Sequence, residues 1–259
     1  MRVIKIGGRA QERPDLAETI AKAWRTSPGS LCIVHGGGNE VSALQRSLGL
    51  TPAFVDGRRI TSDADIVLLR MALSGAANKR LVSALGGCGA RAVGLSGEDG
   101  ALIGARPVAD QRLGRVGEPV RIEVRLLWAL LDAGFLPVIS PLGRDCSSST
   151  ADALNINADD AAAAIAVALG ADELLLIADV PGVLDASGCP LERLDVDAID
   201  ALLEQRTATG GMHAKLEAAA HALGNGVARV RIGDLAAVTD PARGTRLTTT
   251  MPSQMPSFA

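Results

Sequence analysis

MRVIKIGG at residues 1–8 and LCIVHGGGNE at residues 31–40 are each a short apolar run that stops at glycine. Runs of this kind, bounded by turn residues, read as buried strands. After Gly36, Gly37 and Gly38 the spacing of Val41, Leu44 and Leu48, with Gly49 beyond, predicts a helix with a C-terminal stop. A strand–glycine–helix junction leaves backbone N–H groups pointing outward, where the helix N-terminus adds partial positive charge. Lys5 lies beside the first of these junctions. Two glycine turns and a lysine are equipment for a negatively charged reacting group.

The same alternation continues along the chain. Strands are expected at 2–6, 31–34, 91–95, 102–108, 119–124, 136–140, 173–177 and 227–232. Helices are expected at 14–25, 39–48, 63–85, 125–133, 159–169, 196–205 and 212–223. Strands alternating with helices predict an α/β fold whose mainly parallel sheet is covered on both faces. The segment 102–124 has the turn character of a hairpin insertion, and 144–153 reads as a loop. Ser62 followed by Asp65 fits a capping box at the start of the helix 63–85. Asn78 and Lys79 ride on that helix and read as part of its solvated face. The stretch after Leu247 lacks periodicity and reads as frayed.

Composition narrows the function. The 259 residues suit one large domain or two lobes sharing a sheet, and 47% of them are hydrophobic. Aromatics are 2%, tyrosine is absent and the net charge is −3, which argues against a nucleic-acid partner. The four cysteines form no C-x-x-C pair, and no zinc-like spacing occurs. No secretory leader pattern and no apolar run near membrane-spanning length is present. A reduced, cytoplasmic setting without membrane contact is expected. The glycine-rich P-loop, the dinucleotide fingerprint, H-E-x-x-H and G-x-S-x-G are all missing.

Several residues admit two readings. Lys5 is either an edge-strand lysine reaching solvent or an ammonium aimed at a partner. A single glycine suffices for a turn, so Gly36, Gly37 and Gly38 favour close backbone approach to a ligand. His35 is read as a packed histidine bonding backbone. Arg58 and Arg59 suit a carboxylate, yet paired arginines are common on surfaces. Asp159 and Asp160 open a helix, where the dipole favours acids, but Asn155 and Asn157 just upstream are left unexplained. Asp179 to Leu184 follow a strand end, where ligands bind in open α/β sheets, or make an ordinary turn. Lys215 stands near the start of a helix against the dipole, which a bound anion would explain.

Taken together, the segments KIGG, VHGGG, DGRRIT, ANKRLV, AVGLSGEDG, LPVISPLG, LNINADDAA, DVPGVLD and GGMHAK resemble the amino acid kinase family in order and spacing, over residues 5–247. Within it they are similar to the branch acting on N-acetyl-L-glutamate. The resemblance implies a three-layer αβα sandwich with a mainly parallel central sheet. It implies an N-terminal lobe (1–170) for the acyl amino acid and dimerisation, and a C-terminal lobe (171–259) for ATP. The implied reaction moves the γ-phosphoryl group of ATP, with Mg2+, to the substrate's side-chain carboxylate, in arginine biosynthesis. By the same resemblance Lys5 and Lys215 neutralise the phosphoryl group and Asp159 orients both. Gly37, Gly38, Arg59 and Asn155 hold the substrate, Arg59 by its α-carboxylate. Gly7, Gly8, Asp179, Gly182, Leu184, Thr207, Thr209, Gly210 and Gly211 contact phosphates or nucleotide. No dedicated protein metal site is implied. A homodimer with helix 63–85 near its contact is implied. So is a lack of arginine feedback, because arginine-inhibited members carry an extra N-terminal helix. Three alternatives stay open. One is a kinase of glutamate or α-aminoadipate tethered to a small acidic carrier protein, for which Arg58, Arg70, Arg80 and Arg112 would form a basic rim. The second is a kinase of N-succinylglutamate. The third is a non-catalytic regulatory or ligand-binding protein that keeps the fold.

Overall fold

Six of the eight expected strands become the parallel strands of one sheet. The computed structural model describes residues 1–249 apart from Gly8, Asp56, Ala151, Ala186 and 205–210. Gly8, Thr207, Thr209 and Gly210, and the tail beyond residue 249, therefore lie outside the described residues. The N-terminal third contains β1 (Arg2–Ile6), α1 (Leu16–Thr26), β2 (Leu31–His35), α2 (Gly38–Ser47), β3 (Phe54–Val55), β4 (Arg58–Arg59), α3 (Asp63–Leu69) and α4 (Asn78–Gly87). The middle contains β5 (Ala92–Ser96), β6 (Ile103–Pro107), β7 (Val116–Ile122), α5 (Val124–Asp132), β8 (Leu136–Ser140), β9 (Leu142–Asp145), β10 (Ala153–Ile156) and α6 (Ala158–Ala168). The last part contains β11 (Glu173–Ile177), β12 (Arg193–Asp195), α7 (Val196–Glu204), α8 (Gly211–Gly224), β13 (Arg229–Gly233) and β14 (Thr245–Thr248).

The main sheet has eight strands in the order β12-β14-β13-β11-β1-β2-β8-β5. The six from β13 to β5 run parallel; β14 is antiparallel to β13, and β12 follows β14. β1 sits between β11 and β2, so Lys5 is on a central strand and the edge-strand reading falls. The chain order reverses across β1, and the crevice beyond its C-terminal end is where such sheets bind ligands.

Side chains alternate across β1. Ile4 and Ile6 join Leu16, Ile20, Trp24, Leu81 and Leu85 on the face covered by α1 and α4. Val3 joins the alanines of α6 and α8 on the other face. Lys5 has the parity of Val3 and therefore projects toward α6. Cys32 is fully buried in that second layer, and burial pushes its thiol up to about 12, as suits a small core residue.

Three features depart from the sequence expectation. The helix expected at 63–85 is interrupted by π-helical turns over Arg70–Ala77, which separate α3 from α4. The wider turn shifts the phase of the helix before Asn78 and is often found at functional sites. Asn78 is fully buried, which corrects its assignment to the solvated face. Third, the hairpin β6–β7 is recruited with β9 and β10 into a small closed barrel in the order β10-β7-β6-β9. The loop expected at 144–153 is thus flanked by short strands that its Ser, Asp and Gly content concealed.

The capping box at the head of α3 forms as expected. Ser62 Oγ accepts from Asp65 N at 3.2 Å, and the Asp65 carboxylate accepts from Ser62 N at 2.8 Å. Ser62→Ala is expected to cost about 1 kcal/mol, lowering the melting temperature by roughly 2–4 °C in a thermal scan without altering ligand affinity.

Candidate active site

Three helix N-termini face one cavity of about 630 Å3 at the C-terminal end of β1. Gly37, Gly38 and Asn39 line it from the head of α2, Asn157, Ala158 and Asp159 from α6, and Gly211 to Lys215 from α8. Each helix start offers orphan N–H donors and partial positive charge. The floor is Lys5 and Gly7, with Ile177, Ala178, Asp179 and Val180 from the end of β11.

The glycines answer to local sterics. A Cβ on Gly7 would lie 2.8 Å from the Ile177 carbonyl oxygen, so β1 and β11 could not both end here around a larger residue. Gly37 adopts φ +152°, and a Cβ there would meet Leu73 of the π-helical segment at 2.5 Å. The turn is held from below. His35 Nδ1 donates to the Gly36 carbonyl at 2.7 Å, and Asn78 Nδ2 donates to His35 Nε2 at 3.1 Å and to the Val138 carbonyl at 2.9 Å. Burial lowers the imidazole to about 4, so it is neutral, in keeping with this pattern. His35 thus bonds backbone, as expected.

The centre of the site is one carboxylate between two ammonium groups. Lys5 Nζ donates to Asp159 at 3.0 Å, and Lys215 Nζ lies 3.3 Å from both Asp159 oxygens. Lys5, Asp159 and Lys215 are only 5%, 4% and 8% exposed. Asn157 caps α6 by accepting from Asp159 N at 2.8 Å, which fixes the carboxylate's place in the first turn. Burial pushes the Asp159 carboxyl up, but the charges of Lys5 and Lys215 outweigh it and hold the group below its ordinary value. Burial, reinforced by the Lys5 charge, lowers Lys215 to about 8 against the partial support of Asp159. The trio carries two cations and one anion, so it is short of negative charge.

A second cavity, of about 180 Å3, opens beside the first and is lined by Arg59, Asn155, Val41, Phe54, Leu69 and Leu73 among others. Arg59 is buried beside the Phe54 ring, 4.7 Å from its centroid, and donates to the Gly38 carbonyl at 2.9 Å and to Ser42 Oγ at 2.7 Å. Asn155 Nδ2 donates to Thr61 Oγ1 at 3.0 Å. Cation, amide and apolar wall together suit a small carboxylate with an acyl group.

The expected residues fall into three groups. Lys5, Gly7, Gly37, Gly38, Asp159, Asp179, Gly211 and Lys215 meet at the larger cavity, and Arg59 and Asn155 at the smaller, which Gly37 and Gly38 also line. Gly182 and Leu184 are not in either lining: Gly182 packs where a Cβ would meet Thr245 Oγ1 at 2.5 Å, and Leu184 is exposed. Gly8, Thr207, Thr209 and Gly210 fall on undescribed positions. Sequence reasoning passed over Arg9, which lines the cavity and donates to Asp179 at 2.9 Å. Its place right after Gly7-Gly8 was the available signal.

A profile described as the amino acid kinase family matches residues 1–234. This chain belongs to the amino acid kinase family. Acetylglutamate kinase of Methanopyrus kandleri is 42% identical to it over 259 residues, covering 95% of this chain and 99% of the relative. Acetylglutamate kinase of Acidiphilium cryptum is 38% identical over 247 residues, covering 90% and 82%. A crystal structure of a Streptococcus mutans protein superimposes with a TM-score of 0.85 at 33% identity, covering 95% of this chain and 98% of the other. The family fold, an α/β sandwich around a mainly parallel sheet, agrees with the strand order described above. Among the described residues no helix is long and apolar enough to cross a membrane.

The charge imbalance has a measurable consequence. A lysine whose pKa falls on folding costs stability below about 8 and relieves that cost as pH rises toward its ordinary 10.5. An anion bound beside it reverses the shift. Binding of sulfate, which does not titrate near neutral pH, is therefore expected to take up protons at about pH 8.5, seen by calorimetry in buffers of different ionisation enthalpy. Lys215→Met should abolish the uptake; equal uptake in both proteins would contradict the assignment.

Proposed function

We propose that this amino acid kinase phosphorylates the side-chain carboxylate of N-acetyl-L-glutamate with ATP, forming N-acetylglutamyl 5-phosphate in arginine biosynthesis. The observation that carries the reading is the shared carboxylate of Asp159 between Lys5 and Lys215, in a net-positive cavity that adjoins a smaller arginine-bearing one. Phosphoryl transfer asks a protein for position and charge neutralisation more than for covalent chemistry. The acceptor carboxylate is already ionised at neutral pH, so it needs no general base. One of its oxygen lone pairs forms the new P–O bond. The bond from γ-phosphorus to the β–γ bridging oxygen breaks, and its electron pair leaves with ADP. No proton changes hands.

The roles divide by position. Lys5, on β1, faces the acceptor side, and Lys215, on α8, the nucleotide side. Asp159 holds the two ammoniums apart and aimed. Backbone N–H groups at Gly7, Gly37, Gly38 and Gly211 surround the phosphates, with Asp179 on the nucleotide side. Arg59 grips the α-carboxylate and Asn155 the α-substituents. The smaller cavity is built wholly from residues before 170, whereas Asp179 and Gly211 to Lys215 come after it. This supports an acyl-amino-acid lobe at 1–170 and an ATP lobe at 171–259.

In the same reading Mg2+ arrives with ATP. Both Asp159 oxygens are taken by lysines, and among the described residues no three His, Cys, Asp or Glu side chains gather to hold a metal. Mg2+ bound with ATP would supply charge neutralisation for the phosphates beside Lys5 and Lys215. A homodimer is part of the same reading. Val67 and Met71, both more than half exposed on one face of the α3 helix and its π-helical continuation, support an apolar contact there.

The four arginines that the carrier-protein alternative would use are not unpaired cations. Arg58, Arg70, Arg80 and Arg112 are each paired with a carboxylate, of Asp160, Glu98, Glu40 and Asp110 respectively. The presence of Lys5, Asp159 and Lys215 in one cluster likewise disfavours a non-catalytic relative.

An ATP-dependent acyl-hydroxamate assay across N-acetylglutamate, N-succinylglutamate, aspartate and a carrier-linked glutamate tests the substrate. N-acetylglutamate should give the highest kcat/KM; a preference for any other acceptor would overturn the assignment. Lys215→Ala and Asp159→Ala should lower kcat by about 10²–10³-fold with much smaller changes in KM. Arg59→Ala should raise chiefly the KM for the amino acid; a change confined to the ATP KM would contradict its role.

A further inference from the structure

The two cavities meet along a short boundary. Gly36, Gly37, Gly38, Gly57, Asn157 and Ala158 line both, and so does Arg58, the one charged side chain among the described residues of that boundary. Arg58 and Arg59 are neighbours on β4, and side chains on a strand alternate in direction. Arg59 is locked by Gln45, Gly38 and Ser42. Arg58 turns the other way, toward α6, where among the described residues its side chain has one long contact, Nη2 to Asp160 Oδ2 at 3.5 Å. Its side chain is 32% exposed.

That contact is a weak tether. Burial raises the Asp160 carboxyl to about 6, with Asp159, Glu217 and Glu118 pushing the same way and Arg58 opposing them only in part. If the guanidinium departs, Asp160 is partly open to solvent and can take a proton, so no bare desolvated anion is left behind. Even with Mg2+ carried in by ATP, a further cation would ease the approach of the acceptor to the phosphoryl group. Lys5, Lys215 and Asp159 sum to a single positive charge, while an acceptor carboxylate must approach an anionic γ-phosphoryl group. A planar guanidinium can bond both oxygens of a carboxylate or bridge it to a phosphoryl oxygen, which a lysine cannot.

We infer that Arg58 is a third cation of the transfer point: it swings off Asp160 and spans the acceptor carboxylate and the γ-phosphoryl oxygens as the bond changes hands. It is then a catalytic residue distinct from Arg59, which holds the far end of the same substrate. The assignment rests on the kinase reading above and adds to it the residue that works where the two cavities join.

Arg58→Met keeps length and removes charge, and Arg58→Gln removes charge with a different shape. Both should lose about 30-fold or more in kcat, while both KM values stay within about threefold of wild type. Arg58→Lys should recover part of the loss. A readout independent of turnover is binding of ADP with aluminium fluoride and N-acetylglutamate, a mimic of the transfer state. Its affinity should fall in Arg58→Met by the same factor as kcat, while ADP alone binds as in wild type. If either neutral variant keeps kcat within about threefold, or if the loss lies wholly in KM, the inference is overturned although the kinase reading stands. If the wild-type protein phosphorylates no N-acetylglutamate, both fall together.

Discussion

A carboxylate shared by two buried ammonium groups is the interaction the rest of this protein depends on. Burying Lys5 and Lys215 without Asp159 would strand two like charges in a low-dielectric site, at heavy cost. With it, the cluster is affordable in the fold yet remains net positive. On the proposed reading, that residual charge is what an incoming phosphate would satisfy. On that reading stability and catalysis are opposed: the lysine that burial most disfavours is the one a bound phosphate would most favour.

The sheet makes this cluster possible from residues far apart in sequence. Lys5 and Asp159 are 154 positions apart, and Asp159 and Lys215 are 56. β1 lies beside β11, and α6 and α8 pack on the same face of the sheet, so the strand end and two helix starts converge without any loop having to carry charge. Below the glycine turn a second, neutral network does quieter work. Asn78 and His35 satisfy each other and the Gly36 carbonyl, so the turn that must face a ligand is fixed by bonds on its hidden side. The Leu73 side chain leaves space for glycine alone at position 37.

Much of this was legible in the sequence. The central strands announced themselves because both faces of a parallel sheet are buried, so their apolar runs are continuous. The capping box over Ser62–Asp65 and the helix starts were readable for the same local reason. Asp159 was different: alone it looked like an acid placed to suit a helix dipole, and only the resemblance to a family singled it out. Asn78 was misread because a linear pattern does not record that Gly94 faces it. A Cβ on Gly94 would lie 1.9 Å from the Asn78 amide oxygen, so the glycine is what admits a buried amide. The barrel strands around 142–145 and 153–156 were missed because they are short, polar-flanked and stabilised only by closing on each other. The π-helical turns left no mark either, since one extra residue per turn hides within ordinary three-and-four spacing.

The central claim is spatial, and a crystal structure of the protein with ADP, aluminium fluoride and N-acetylglutamate tests it most directly. The fluoride complex should lie between the Lys5 and Lys215 ammonium groups, with the substrate's side-chain carboxylate on its Lys5 side. A fluoride complex bound elsewhere, or contacted by only one of the two lysines, would contradict the account.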